Sequence, residues 1–119
     1  MTSKKTKNKF EERIFKTLKK KRFNVKYEEE KISYLLSGHY IPDFTILTPS
    51  GSRIYIETKG YLRPEHKRKM VAVKKLHPTL DIRILFYARK EKDIKWAVKN
   101  RFPYAIDTIP DEWYDEFKR

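Results

Sequence analysis

Phe10, Ile14, Phe15 and Leu18 recur at helical spacing and predict a first helix over residues 9–22. At about 100° per residue these four spread over an arc of about 140°. Glu11 falls inside that arc and Glu12 well outside it. Residues 24–28 and 31–36 are strand-like, forming either one long strand with an irregular middle or two short ones. The run Glu28-Glu29-Glu30 between them reads as a solvated edge, where charge discourages stray pairing. Ser37-Gly38 reads as a flexible point. Residues 40–47 and 53–58 are rich in β-branched and aromatic side chains, and Thr48-Pro49-Ser50-Gly51 between them is turn chemistry, so the pair predicts a hairpin. Alternation along the second strand puts Tyr55, Glu57 and Lys59 on one face and turns Ile54 and Ile56 into a core. Pro64 opens a second helix that ends near His77-Pro78, with Met70, Ala72, Val73 and Leu76 on its inner face. Lys67, Arg68, Lys74 and Lys75 lie on the opposite side. A buried strand is predicted over 81–87 and a third helix over 92–101, with Ile94, Trp96, Ala97 and the following Phe102 packing inward. A short terminal helix has Pro110 at its first position, and Trp113 and Phe117 pack on the core rather than stack on bases.

Composition narrows the function. A chain of 119 residues is one domain by size, here a basic arm over 1–9 followed by a single domain over 10–119. Lys and Arg number 29 against 16 Asp and Glu, a net charge of +13. That excess calls for a polyanionic partner, nucleic acid first and an anionic membrane surface second. No apolar run approaches the roughly 20 residues of a membrane span, and nothing resembles a secretory signal. The absence of cysteine excludes disulfides and Cys-type zinc sites and fits a reducing cytoplasm. The charge is uneven: residues 1–22 carry ten basic and two acidic groups, and residues 104–119 two basic and five acidic. Lys4 and Lys5 in the arm are candidate DNA contacts, the plainer alternative being a solubilising tail. Lys67, Arg68, Lys74 and Lys75 are further candidates. A solvated helix face is the ordinary explanation of such a cluster, but its place directly after Glu-x-Lys favours phosphate contacts, which position DNA without reading sequence. His39, His66 and His77 show no metal-ligand spacing. There is no Gly-rich phosphate loop, and no Ser-His-Asp triad can be picked out.

Chemistry concentrates in YIPDFTILTPSGSRIYIETKG, residues 40–60. Asp43 and Glu57 can hold a hard divalent cation through oxygen, which would polarise a phosphate and form hydroxide from bound water. Lys59 can orient that water or stabilise charge developing on the phosphate. Taken alone, an acid-x-lysine pair also suits a solvated strand face. Glu11 needs a reason to sit in an apolar arc, because an unpaired buried charge is costly. A metal or a catalytic lysine is one reason. The other is capping, with Asn8 as the N-cap and Glu11 reaching back from three residues on.

The spacing P-D-x13-E-x-K resembles the signature of the PD-(D/E)xK nuclease superfamily, and the predicted order of helix, three strands, helix, strand, helix is that superfamily's core order. More closely, the chain resembles the phage endonuclease I family, the Holliday-junction resolvases of T-seven-like phages. The likeness runs from Phe10 to Trp113: Phe10-Glu11-Glu12, Tyr27-Glu28-Glu29, YIPDF, ETKG, HPTLDIRILF and IPDEW, all in the family's order. It implies an α/β fold with a restriction-endonuclease-like core, a mixed central sheet flanked by helices. It implies catalytic roles for Glu11, Asp43, Glu57 and Lys59, and a cut dependent on Mg2+ or Mn2+, one or two ions per site. Asp43, Glu57 and the Thr58 carbonyl would be ligands, with a second ion near Glu11. It also implies an intertwined homodimer whose N-terminal part crosses to the partner, making each site composite, and four-way junctions and other branched DNA as substrate.

The sequence departs from the family in three places. The segment 34–40, where the family's subunits are bridged, is slightly shorter, and so is the stretch after Ala88. The basic tail that follows the Trp113 match is absent, the basic arm here being N-terminal. Two alternatives stand beside the junction resolvase: a sequence-specific or repair nuclease of the same fold, and a non-catalytic basic nucleic-acid-binding protein. The intact set of four residues argues against the latter.

Overall fold

The structure is a computed structural model, and it describes residues 6–33 and 38–119. Among the described residues there are four helices and seven strands: α1 (Lys9–Lys20), β1 (Asn24–Tyr27), β2 (Ile32–Ser33), β3 (His39–Tyr40), β4 (Phe44–Leu47), β5 (Arg53–Lys59), α2 (Pro64–Leu76), β6 (Asp81–Phe86), α3 (Glu91–Lys99), β7 (Tyr104–Ile106) and α4 (Asp111–Phe117). Five strands form one mixed sheet in the order β1-β4-β5-β6-β7. β1, β4 and β5 are antiparallel neighbours, while β5, β6 and β7 run parallel through the α2 and α3 crossovers. β2 and β3 pair separately. Residues 1–5 and 34–37, hence Lys4, Lys5 and Ser37, lie outside the described residues. No helix among the described residues is long and apolar enough to cross a membrane.

Alternation along the strands sends side chains to two cores. Val25, Tyr27, Phe44, Ile46, Ile54 and Ile56 meet Ile14 and Leu18 of α1 and Trp113 and Phe117 of α4. Tyr55, Ile82, Ile84 and Phe86 meet Met70 and Val73 of α2 and Ile94 and Ala97 of α3. Both faces of the sheet are therefore covered, as expected where parallel strands are joined by helices. The face bearing Tyr55 and Glu57 is not solvated: both residues are buried.

Several boundaries differ from the sequence expectation, each for a local reason. The predicted strand 40–47 is broken. Tyr40 belongs to the small sheet, and main-sheet pairing starts at Phe44, after Pro42, which has no N–H to give a ladder. The hairpin itself holds: the Gly51 N–H donates to the Thr48 carbonyl at 2.9 Å, and Gly51 takes φ +93, where a side chain would be strained. α1 stops at Lys20 because the chain turns left-handed at Arg22, φ 65. Of the predicted strand 31–36, Ile32–Ser33 form β2, Lys31 precedes it, and residues 34–36 fall outside the described residues. Leu76 is 54% exposed, the last turn of α2 having left the core. β6 ends at Phe86, leaving Tyr87 exposed. Pro110 is the N-cap of α4 rather than its first helical residue. β7 is an additional strand; three residues are too few to carry a period.

Candidate active site

The carboxylates gather where β1, β4 and β5 end together. β1 and β4 pair as far as Tyr27 and Phe44, and beyond them the Glu28 N–H still donates to the Asp43 carbonyl at 3.0 Å. β4 and β5 pair as far as Phe44 and Ile56, so the next residues are Asp43, just before β4, and Glu57, still within β5, where the antiparallel pairing stops. α1 crosses this end with its first turn. A cavity of about 290 Å3 results, and Glu11, Asp43, Glu57, Lys59, Lys7 and His66 are among the residues that line it.

Each acid is held. Asp43 is 6% exposed, and its Oδ2 accepts from the Thr58 N–H and the Thr58 hydroxyl, both at 2.8 Å. Glu57, also 6% exposed, accepts from the Tyr40 hydroxyl at 2.9 Å and pairs with the Lys59 ammonium at 3.1 Å. Glu11 is buried; its Oε1 accepts from the Tyr27 hydroxyl, and its Oε2 lies 3.4 Å from the Thr58 hydroxyl, whose single proton it shares at longer range than Asp43 does. The cap half of the alternative explanation for Glu11 also holds, since the Glu11 N–H donates to Asn8 Oδ1 at 2.8 Å. The carboxylate, however, does not close a capping box on the Asn8 N–H. It turns toward Tyr27 and Thr58, and the N–H that it takes, at 3.3 Å, belongs to Lys7. Lys7, which the sequence places in a basic arm, reaches Glu28 with its ammonium at 3.0 Å.

The electrostatics follow from packing acids together out of water. Burial first, then the negative charges of Glu57 and Glu11, push the Asp43 carboxyl up to about 8, against the pull of the two Thr58 donors. Burial also raises Glu57, with Lys59 the main opposing influence. The Tyr40 and Tyr27 hydroxyls are raised by burial first and then by the carboxylates they serve, so both remain donors. His66 is lowered, by burial and by the nearby Lys59 charge.

One carboxylate oxygen each of Glu11, Glu28 and Asp43 lies within 4.8 Å of the others. An all-oxygen donor set carrying several negative charges, with one member driven toward protonation, fits a hard divalent cation. Glu28 is the residue that sequence reasoning missed. It was expected on a solvated edge, but φ +48 ends β1 and swings its side chain into the cluster. Glu29 is exposed, and Glu30 pairs with Arg53 at 2.9 Å. The only hint of Glu28 in the sequence is its place beside Tyr27 in one of the shared motifs. The tyrosines that orient Glu11 and Glu57, Tyr27 and Tyr40, read as strand residues and gave no chemical signal.

The basic residues of α2 divide. Lys67 is tied to buried Asp93 at 3.3 Å. Lys74 donates to the Arg101 carbonyl and covers the Phe102 ring at 4.4 Å. Arg68 and Lys75 are exposed. The expected opposite face is thus half occupied by internal contacts, because α3 packs alongside it.

A family model described as phage endonuclease I matches residues 2–119. Endonuclease I of Escherichia phage T7 is 35% identical over 120 residues, spanning 92% of this chain and 78% of that protein. Endodeoxyribonuclease 1 of Enterobacteria phage T3 is 34% identical over 111 residues, spanning 84% of this chain and 70% of that protein.

Proposed function

The chain belongs to the phage endonuclease I family and is an endodeoxyribonuclease, and from that premise we propose that it cuts four-way junctions and other branched DNA by metal-dependent hydrolysis on a PD-(D/E)xK core. The observation that carries the reading is the meeting of Glu11, Asp43 and Glu57 with Lys59 in one cavity at the sheet end. Asp43, Glu57 and the Thr58 carbonyl would hold Mg2+ or Mn2+, with Glu11 and Glu28 toward a second ion. When bound, such a cation supplies charge neutralisation at the phosphate and a water acidic enough to attack at neutral pH.

The chain's own residues do the positioning. The Thr58 N–H and hydroxyl fix Asp43, and the Tyr40 hydroxyl fixes Glu57. Glu57 in turn holds the Lys59 ammonium, which would orient the attacking water or meet the growing negative charge on the phosphate. The exposed cations, Arg68 and Lys75 among them, would bear the phosphates outside the cavity, so binding weakens with salt. The working unit would be a homodimer, which opposes two such sites across a junction. The test compares a labelled four-way junction with a linear duplex of the same sequence, with magnesium present and with chelator. Symmetric cleavage of the junction alone, lost with chelator, is expected. Equal cutting of both substrates would overturn the branched-DNA reading, and cutting in chelator would overturn metal dependence.

A further inference from the structure

Beside the carboxylates lies a second groove, of about 490 Å3, lined by Asn8, Lys9, Phe10, Arg13, Gly60 and Tyr87. It shares two elements with the active site. Phe10 and Glu11 are consecutive on α1, about 100° apart around the axis, so one enters the groove and the other the carboxylate cluster. Tyr87 follows β6 as Gly60 follows β5, and the Tyr87 N–H donates to the Lys59 carbonyl at 2.8 Å. The Tyr87 ring is 57% exposed and is braced edge-on by Phe10, with centroids 5.1 Å apart. Arg13 lies 5.4 Å over the Phe10 ring while also bonding Asp107, and none of the described residues that line the groove carries a carboxylate. On the other side of Gly60, Tyr61 is 58% exposed under the Lys90 ammonium at 4.9 Å.

We propose that this groove receives an unstacked nucleobase of the DNA strand being cut, with Tyr87 as the stacking surface and Lys9 and Arg13 as the phosphate contacts. An exposed, braced aromatic ring flanked by cations is how proteins take single nucleotides without reading sequence. Its continuity with Lys59 puts the bound base within a nucleotide or so of the scissile phosphate. In an intact duplex both faces of every base are covered, so Tyr87 has nothing to stack on. At a branch or bulge a face is free and the cost of turning the base out is small. The groove therefore selects DNA structure one nucleotide at a time. This rests on the branched-DNA reading above and gives that reading a residue.

The test uses full-length protein carrying Asp43→Asn, so that cutting does not interfere. Its DNA is a duplex with one unpaired 2-aminopurine, a four-way junction with 2-aminopurine at the branch, and a perfect duplex. The protein is expected to quench the unpaired fluorophore, and Tyr87→Phe to preserve the quenching. Tyr87→Ala and Tyr87→Leu should both lose it, with bulge affinity falling roughly five- to a hundred-fold and perfect-duplex affinity changing less than about twofold. Tyr87 is more than half exposed and gives up only its edge contact with Phe10, so all three variants should stay folded with at most a small drop in melting temperature. Unchanged quenching and bulge affinity in Tyr87→Ala overturns the proposal, and so does retention in Tyr87→Leu, which keeps bulk but has no face to stack. If the unsubstituted protein binds junction and perfect duplex alike, the branched-DNA reading fails, while the bulge fluorescence still decides the role of Tyr87.

Discussion

Asp43 is the residue on which the charges of the site converge, and its position makes a pH prediction. Its carboxyl is raised to about 8 in the folded chain against an ordinary value of 3.8. Between those limits the folded protein holds a proton that the unfolded chain does not, so stability rises as pH falls and is lost as pH rises through 8. Below about 6.5 the lowered His66 acts in the opposite sense, so the useful window lies above that. In chelator, the protein should gain about 1–2 kcal/mol on going from pH 8.5 to 6.5, measured by urea denaturation. Asp43→Asn should flatten most of that slope, and should abolish cleavage while junction binding survives. A slope identical to the parent's would show that Asp43 is not the group titrating. Asp43, Glu57 and Lys59 are legible in the sequence because they lie in one hairpin, where alternation and spacing settle their neighbours. Glu28 is not, because one positive φ at the end of β1 decides its direction, and its neighbours come from other elements.

At the scale of elements, the first turn of α1 joins folding to chemistry. Asn8 caps the helix through the Glu11 N–H, and the same turn delivers the Glu11 carboxylate to Thr58 and Tyr27. Asn8→Ala should cost about 1 kcal/mol, read from the urea midpoint. It should also lower the cleavage rate by more than the population of unfolded chains explains, since Glu11 loses its fixed direction. Asn8→Asp or Asn8→Ser, which keep an acceptor, should restore both. Loss of stability with an unchanged rate would separate the cap from the site. The helix was legible because its apolar arc repeats over four positions, and the intrusion of Glu11 into that arc was itself the signal. β7 and the split of β3 from β4 were not. The first has no period to read, and the second depends on where Pro42 leaves the ladder, a matter of which strands lie on either side. Leu76 shows the same limit, since helical spacing specifies a face but not where the neighbouring core ends.

At the scale of the whole molecule, the question is which chain supplies Glu11. In the described chain, Glu11 meets Thr58 and Tyr27 of the same chain, and residues 34–37 join the part carrying Glu11 to the part carrying Asp43, Glu57 and Lys59. Exchange of identical parts between two subunits preserves every local contact and alters only connectivity, so the same site geometry serves both arrangements. The family resemblance favours exchange, and we predict that Glu11 of one chain completes the site of the other. The decisive measurement uses Glu11→Ala and Glu57→Ala chains, co-expressed and purified as a mixed dimer through two different tags, because intertwined chains exchange slowly once formed. Under exchange, one site of the mixed dimer receives both substitutions and the other receives neither. The mixed dimer should then nick one strand of a junction while each homodimer is inactive. If each chain builds its own site, both sites carry one lesion, and the mixed dimer should bind junctions without cutting them. That second outcome would sink the exchange and leave each chain to build its own site.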